Sequence, residues 1–172
     1  MKYAAYALRT CNPDMTSHGG FKWPKRGRVE ASDWNPIHEC GNGLHGLLHG
    51  AGDHTLLSYD DNAKWLVVGL TKEDLESTID LDGKVKFPGC NVVFCGDRQG
   101  AVDYITKHNM VDAPVVFGTA TAGYGGTATA GYGGTATAGY GGTATAGYGG
   151  TATAGKRGTA TAGDCGTATA GY

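Results

Sequence analysis

The sequence predicts an α+β head domain over residues 1–117, followed by a small β-solenoid over 118–172 built of Thr/Ala/Gly octads, two octads per coil. Three observations carry this reading. A GTATAG unit recurs seven times at a constant spacing of eight residues, starting at Gly118, Gly126, Gly134, Gly142, Gly150, Gly158 and Gly166. Composition changes abruptly at the first unit: residues 118–172 hold 18 Gly, 14 Thr, 14 Ala and 5 Tyr, and no Leu, Ile, Val or Phe. The large apolar side chains therefore lie in the first 117 residues, in short runs bounded by turn formers, and must build the ordinary core there.

Along the head, residues 2–9 mix Tyr, Ala and Leu as a first strand. CNPDMTSHGGFKWPKRG, with two prolines and three glycines, reads as a long loop anchored by Phe21 and Trp23. Val29 belongs to a short strand. LHGLLH, between glycines, reads as little more than one helical turn, and residues 55–58 as a short strand. KWLVVGL (64–70) is the strongest strand, an apolar run with paired valines and polar flanks. Thr71 with Asp74 three residues later is an N-cap with an acidic first turn, so a brief helix follows to about Glu76. Residues 77–81 and 85–87 flank Asp82-Gly83, a tight hairpin turn. NVVFC (91–95) is another strand, and Asp97 caps a helix over 98–108 whose inward stripe is Ala101, Ile105 and Tyr104. Short strands with two small helices make an α+β head rather than a repeated βαβ fold.

In each TATA core, side chains alternate across the strand, so threonines face one way and alanines the other. β-branched threonine suits an exposed sheet face, and alanine permits close packing of backbones. Glycines around the variable pair permit corners. Eight residues are too few to close a coil, whereas two octads make a flattened coil of sixteen with one strand on each long side. The 55 residues then give almost three and a half coils, about 17 Å thick at a strand spacing of about 4.8 Å. An antiparallel meander with one octad per strand is the competing architecture, and a flexible Gly-rich linker, which needs no Thr/Ala alternation, is the bland one. The coil places Thr119, Thr121, Thr127, Thr129, Thr135, Thr137, Thr143, Thr145, Thr151, Thr153, Thr159, Thr161, Thr167 and Thr169 on its outer surface. It stacks Tyr124 with Tyr140 on one edge and Tyr132 with Tyr148 on the other, as corner packing or as an assembly surface. Lys156, Arg157 and Asp164 bring charge into the later corners, where it opposes uncontrolled growth of the stack.

The AGYGGTATAGYGGTAT pattern resembles the tandem repeats of bacterial ice-nucleation proteins, which combine an AGYG corner with a Thr-x-Thr strand in sixteen-residue coils. The octads are even more similar to the GTATAG tails of small, largely uncharacterised bacterial and phage proteins. CGNGLHGLLHGAGD, KWLVVGL and GKVKFPG are similar to the heads that accompany those tails. The resemblance implies a threonine surface that orders water, reduced here to three or four threonine pairs per face, a small patch. For the head it implies a family with no secure function.

Chemistry is thinner in the head. Net charge is −2, with 12 Lys or Arg against 15 Asp or Glu in the head, so no basic field attracts a phosphate backbone and no nucleic-acid partner is expected. No apolar run reaches membrane-spanning length, and MKYAAYALRT lacks the apolar core of a secretory signal. A cytoplasmic protein with reduced thiols, no membrane partner and no cofactor is the expectation. Cys40 and His45 lie close in CGNGLH, with His49 one helical turn further if the stretch is helical, which nominates them as catalytic or ligand-binding residues. The bland alternative is a glycine-rich turn with His45 on a backbone acceptor. Zinc would need Cys40, His45, Cys90 or Cys95, but no paired short cysteine knuckles support it, and His38, Asp53 and His54 only enlarge a polar loop. Lys84, Lys86 and Arg98 are candidates to meet an anion in a cleft, against the plainer reading of solvated faces. The function so predicted is structural or interactive: a repeat tail that presents a regular surface or mediates association with itself or another protein. An enzyme or small-ligand module centred on Cys40, His45 and His49 is the alternative, and weak ice binding the third class.

Overall fold

The computed structural model describes residues 3–172. The chain divides into two compact units, residues 1–111 and 112–172.

The first unit is a seven-stranded antiparallel sheet with two short helices. Its strands are β1 (Ala5–Cys11), β2 (Gly27–Glu30), β3 (Leu44–Leu48), β4 (Lys64–Leu70), β5 (Ile79–Asp80), β6 (Val85–Phe87) and β7 (Gly89–Gly96). They lie in the order β2-β7-β4-β1-β3-β6-β5. The apolar run KWLVVGL takes a central place because it is buried on both faces, pairing with β1 from Ala5↔Leu70 to Cys11↔Lys64 and with β7 on its other side. On one face Leu66, Val68, Leu70, Phe87, Val92 and Trp23 form the core.

Helix α1 (Lys72–Glu76) starts at Thr71, whose hydroxyl accepts from the Asp74 backbone while the Asp74 carboxylate accepts from Thr71 in return. This reciprocal cap satisfies two of the orphan amides of the first turn. The same carboxylate, 4% exposed, receives Arg28 of β2 in a two-pronged ion pair at 2.6 and 2.8 Å. Burial pushes the Asp74 carboxyl up, but Arg28 and the Thr71 hydrogen bonds outweigh it and hold it below the usual range. Helix α2 (Arg98–His108) is capped by Asp97, which accepts from Gly100, and buries Ala101, Val102 and Ile105. Tyr104 stays half-buried, stacked on His108 at 4.2 Å.

Two local expectations are overturned. LHGLLH is not a helical turn: it forms β3, whose Leu44, Gly46 and Leu47 are buried against β1 and β6. Five residues offer too few helical hydrogen bonds to compete with two waiting sheet edges. Residues 55–58 are not a strand either. Asp53 accepts from the backbone and hydroxyl of Thr55 and starts a single 3-10 turn at His54–Leu56. The Asp82-Gly83 hairpin does form, both residues at positive φ (60° and 98°), joining β5 to β6.

The second unit is a parallel β-solenoid. Strands β8 (Thr119–Ala122), β10 (Thr135–Ala138), β12 (Thr151–Lys156) and β14 (Thr167–Gly171) form one wall. The opposite wall is β9 (Thr127–Ala130), β11 (Thr143–Ala146) and β13 (Thr159–Ala162). Every pairing is parallel and the TATA cores are in register at sixteen residues, Thr135↔Thr119 and Thr143↔Thr127 among them; the register shifts only after Ala154, where Lys156 pairs with Gly171. Two octads per coil is therefore the architecture. The antiparallel meander is excluded, because neighbouring octads lie on different walls and share no ladder. Its physical disadvantage is that a meander would place consecutive octads side by side and leave one alanine face without a partner wall.

Between the walls the methyls of Ala128, Ala130, Ala136, Ala138, Ala144, Ala146, Ala152 and Ala154 are buried. Each methyl supplies only about 0.8 kcal/mol, so backbone hydrogen bonds along the stack carry much of the order. The Thr135 amide donates to Gly118 O, Thr151 to Gly134 O and Thr167 to Gly150 O, each at 2.9 Å.

The corners show why glycine recurs. The Gly126 amide bonds back to Gly123 O, and Gly125, third in this four-residue turn, has φ +66°, as a type II turn requires. The same position is Gly133, Gly141 and Gly149 in the next three octads, then Arg157 (φ 60°) and Cys165 (φ 58°). Phe117, eight residues before Gly125, has φ 58° and donates to Tyr132 O as Gly125 donates to Tyr140 O. The stretch ending at Phe117 is thus a corner that the glycine pattern conceals.

Candidate functional site

Two surfaces have an organisation that ordinary packing does not require. The first is the threonine array of the second unit. All fourteen repeat threonines point away from the alanine core; Thr143 and Thr145 are half-buried and the other twelve exposed. One wall carries four Thr-x-Thr pairs, from Thr119/Thr121 to Thr167/Thr169, and the other three, from Thr127/Thr129 to Thr159/Thr161. Within a pair the side chains stand about 6.7 Å apart, and successive pairs about 4.8 Å apart, a flat grid of hydroxyl and methyl groups.

Along the corners, Tyr124 lies on Tyr140 at 5.4 Å and Tyr132 on Tyr148 at 5.6 Å, both within 3° of parallel. Phe117 meets Tyr132 edge-on at 5.5 Å. Lys156 and Asp164 then occupy the tyrosine position of their own octads, so charge replaces the ring.

The second surface is a cleft of about 720 Å³ in the head. It lies beyond Leu8↔Leu47, the last registered pair of β1 with β3, and Arg9, Trp23, Cys40, His45, Leu57 and Lys84 line it. Its floor is rigid: Arg9 stacks over the Trp23 ring at 3.7 Å and donates to His45 O at 3.1 Å. Arg9 Nε and His45 Nε2 are buried without a hydrogen-bond partner. Burial, then the charges of Lys84, Arg9 and Lys86, push the His45 pKa down to about 4, so its ring is neutral at pH 7.

Cys40 sits exposed at the cleft's lip. Lys84, from the β5–β6 turn, donates to its Sγ at 2.9 Å. That contact, opposed by some burial and aided by the Gly41 amide and Lys86, holds the thiol below its ordinary range. The loop beneath is fixed from inside: Lys86 is fully buried and donates to Glu39 O at 2.8 Å and Gly41 O at 3.3 Å. Asn42 is held at φ 50° between two positive-φ glycines.

The structure thus brings Cys40, His45 and Lys84 to one cleft and leaves His49 elsewhere. His49 lies past the end of β3, where its ring meets Asn109 Oδ1 at 3.0 Å and its carbonyl accepts from Asn109 Nδ2. Cys90 is fully buried, and burial raises its pKa to about 12; Cys95 contacts the Met15 sulfur at 3.8 Å. Among the described residues no group of three or more His, Cys, Asp or Glu is arranged to hold a metal ion. No described helix is long and apolar enough to cross a membrane. Arg9 escaped the sequence reading because an arginine inside a strand carries no local signal. Its stacking on Trp23 arises only when loop and sheet meet.

Residues 5–103 match the model of a family described as Domain of unknown function (DUF7666). The chain is 43% identical over 101 residues to an ice nucleation protein of Pseudomonas fluorescens, a match covering 59% of this chain and 8% of that protein. It is 38% identical over 117 residues to an ice nucleation protein of Pseudomonas syringae pv. syringae, covering 68% of this chain and 10% of that one. For the ice nucleation protein of Xanthomonas campestris pv. translucens the figures are 40% over 104 residues, 59% and 6%. The chain therefore spans a tenth or less of the length of these relatives. No solved structure matches it.

Proposed function

The chain belongs to the DUF7666 family, a domain of unknown function, and from that premise we propose that it is a structural or interaction protein whose octad tail mediates association. The observation that carries this reading is the pair of parallel tyrosine ladders, Tyr124–Tyr140 and Tyr132–Tyr148, on the corners of an in-register stack. Tyr124 and Tyr140 are exposed on one edge of the unit, and Tyr148 is exposed on the other beside the half-buried Tyr132, so each edge offers an aromatic row with a hydroxyl rim. Rows of this kind suit pairing with a like row, because large apolar area is buried with little loss of side-chain freedom. The test is sedimentation over a hundredfold range of concentration. Association weakened by Tyr124→Ser with Tyr140→Ser supports the reading; a monomer at all concentrations refutes it.

A second reading is weak ice adsorption. It is supported by the threonine grid and by similarity to proteins named as ice nucleation proteins. With at most four threonine pairs per wall the patch is about 14 Å long, so adsorption to a growing crystal rather than nucleation is the activity to seek. Ice crystals of unaltered shape and growth rate in the presence of the protein would refute it.

A further inference from the structure

We propose that Cys40 is a covalent acceptor site in the head, taking small carboxylate-bearing disulfides into the cleft beside it. Geometry supplies the argument. Of the five cysteines, Cys11 and Cys90 are buried, Cys95 is half-buried, and only Cys40 and Cys165 are exposed. Only Cys40 lies in a cleft with an ammonium donating to its sulfur, at 2.9 Å from Lys84. An ammonium at that distance favours the thiolate, which is the attacking form in exchange. The fully buried Lys86 and the left-handed run Gly41–Asn42–Gly43 fix the loop that presents the sulfur.

The cleft also states what kind of ligand it takes. Arg9 and Lys84 give its lining positive charge, against Asp33. Asp53, which faces Lys84 from the neighbouring loop, is the further acid near the site. Arg9 directs its Nη donors to the neutral carbonyls of His45 and Thr10, so its positive charge is left to attract an anionic ligand. Trp23, Phe21, Leu44 and Leu57 supply apolar wall for the rest of the molecule. About 720 Å³ suits a ligand of peptide size.

In the step, the Cys40 thiolate attacks one sulfur of the ligand's disulfide. A new S–S bond joins that half to Cys40, the old S–S bond breaks, and the other half leaves as a thiolate. No other cysteine lines the cleft to resolve the adduct. The mixed disulfide therefore persists until an external thiol removes it, which makes this a modification site rather than a turnover site.

The experiment uses the full reduced chain at pH 7 with excess glutathione disulfide, an acidic disulfide, or cystamine, a cationic one, followed by peptide mass mapping. Cys165, exposed and hydrogen-bonded to Tyr148, is the internal reference. Cys40 is expected to form the glutathione adduct at least about fivefold faster than Cys165, and to lose that lead with cystamine. Lys84→Gln is expected to erase the lead and Lys84→Arg to retain most of it, with Cys165 unchanged in both. Equal rates at the two cysteines, or an equal lead with both disulfides, overturn the proposal.

Discussion

Glycine has two separate duties in the octads, and substitutions two positions apart or closer tell them apart. At the turn position, Gly141 has φ +67° and nothing within 4 Å of where a Cβ would stand. Gly141→Ala therefore suffers only the left-handed backbone penalty, about 1 kcal/mol. The neighbouring Gly142 has no positive φ, but a Cβ there would stand 2.7 Å from Gly126 O of the adjacent coil and 2.9 Å from the Ala138 methyl. Both are fixed parts of the stack, so Gly142→Ala is expected to cost more, about 2–3 kcal/mol. The opposite change is available in the same protein. Arg157 holds the turn position at φ 60°, and Arg157→Gly should stabilise the tail by about 1 kcal/mol. Native-state amide exchange at the bonded amides of Thr143, Thr151 and Thr159 reads all three changes within the tail itself. Equal losses at Gly141 and Gly142, or a loss with Arg157→Gly, would refute the division of roles.

Other outcomes follow from single groups. His45 is neutral in the fold with its pKa at about 4, below its ordinary value of 6.5, so the unfolded chain binds more protons between those values and stability falls as pH drops from 6.5 to 4. Because the ring is only half-buried, solvent screening reduces the effect to about 1–2 kcal/mol, and His45→Gln should remove that part of the change in urea midpoint. Asp74→Asn breaks the two-pronged Arg28 pair and half of the α1 cap, with an expected loss of about 2–3 kcal/mol in head stability, measured by tryptophan fluorescence in denaturant. Ala136→Val overfills the core between the walls and should cost about 1–3 kcal/mol, whereas Thr135→Val on the exposed face should stay within about 0.5 kcal/mol; melting of the strand signal by circular dichroism compares them.

Periodicity made the tail legible in advance. A strict eight-residue recurrence with alternating Thr and Ala leaves few ways to bury one methyl face, and closing two octads into a coil is the one that gives each wall a partner. The corner at Phe117 was hidden because nothing in VVF resembles GYG; only the shared backbone conformation relates them. In the head, KWLVVGL, the Thr71 and Asp74 cap and the Asp97 helix were readable, since each is decided by residues within a few positions. LHGLLH was misread because its position between glycines suggests a local turn, whereas the edges of β1 and β6, contributed from far along the chain, decide its conformation. The cleft is non-local in the same way. Cys40 and Lys84 are 44 residues apart, and Arg9 reaches His45 across 36. Cys40 and His45 could be nominated from their spacing, but the lysine on the sulfur could be placed only by the sheet.

The sixteen-residue register is the physical basis of everything said about the tail, and pyrene excimer emission tests it directly. In a chain with Cys40→Ser and Cys165→Ser, Thr127→Cys with Thr143→Cys sets two labels on adjacent strands of one wall, and Thr127→Cys with Thr135→Cys sets them on opposite walls. At dilute concentration, strong excimer emission from the first pair and none from the second is the expected result. Emission from the pair eight residues apart, or from neither, would contradict the solenoid.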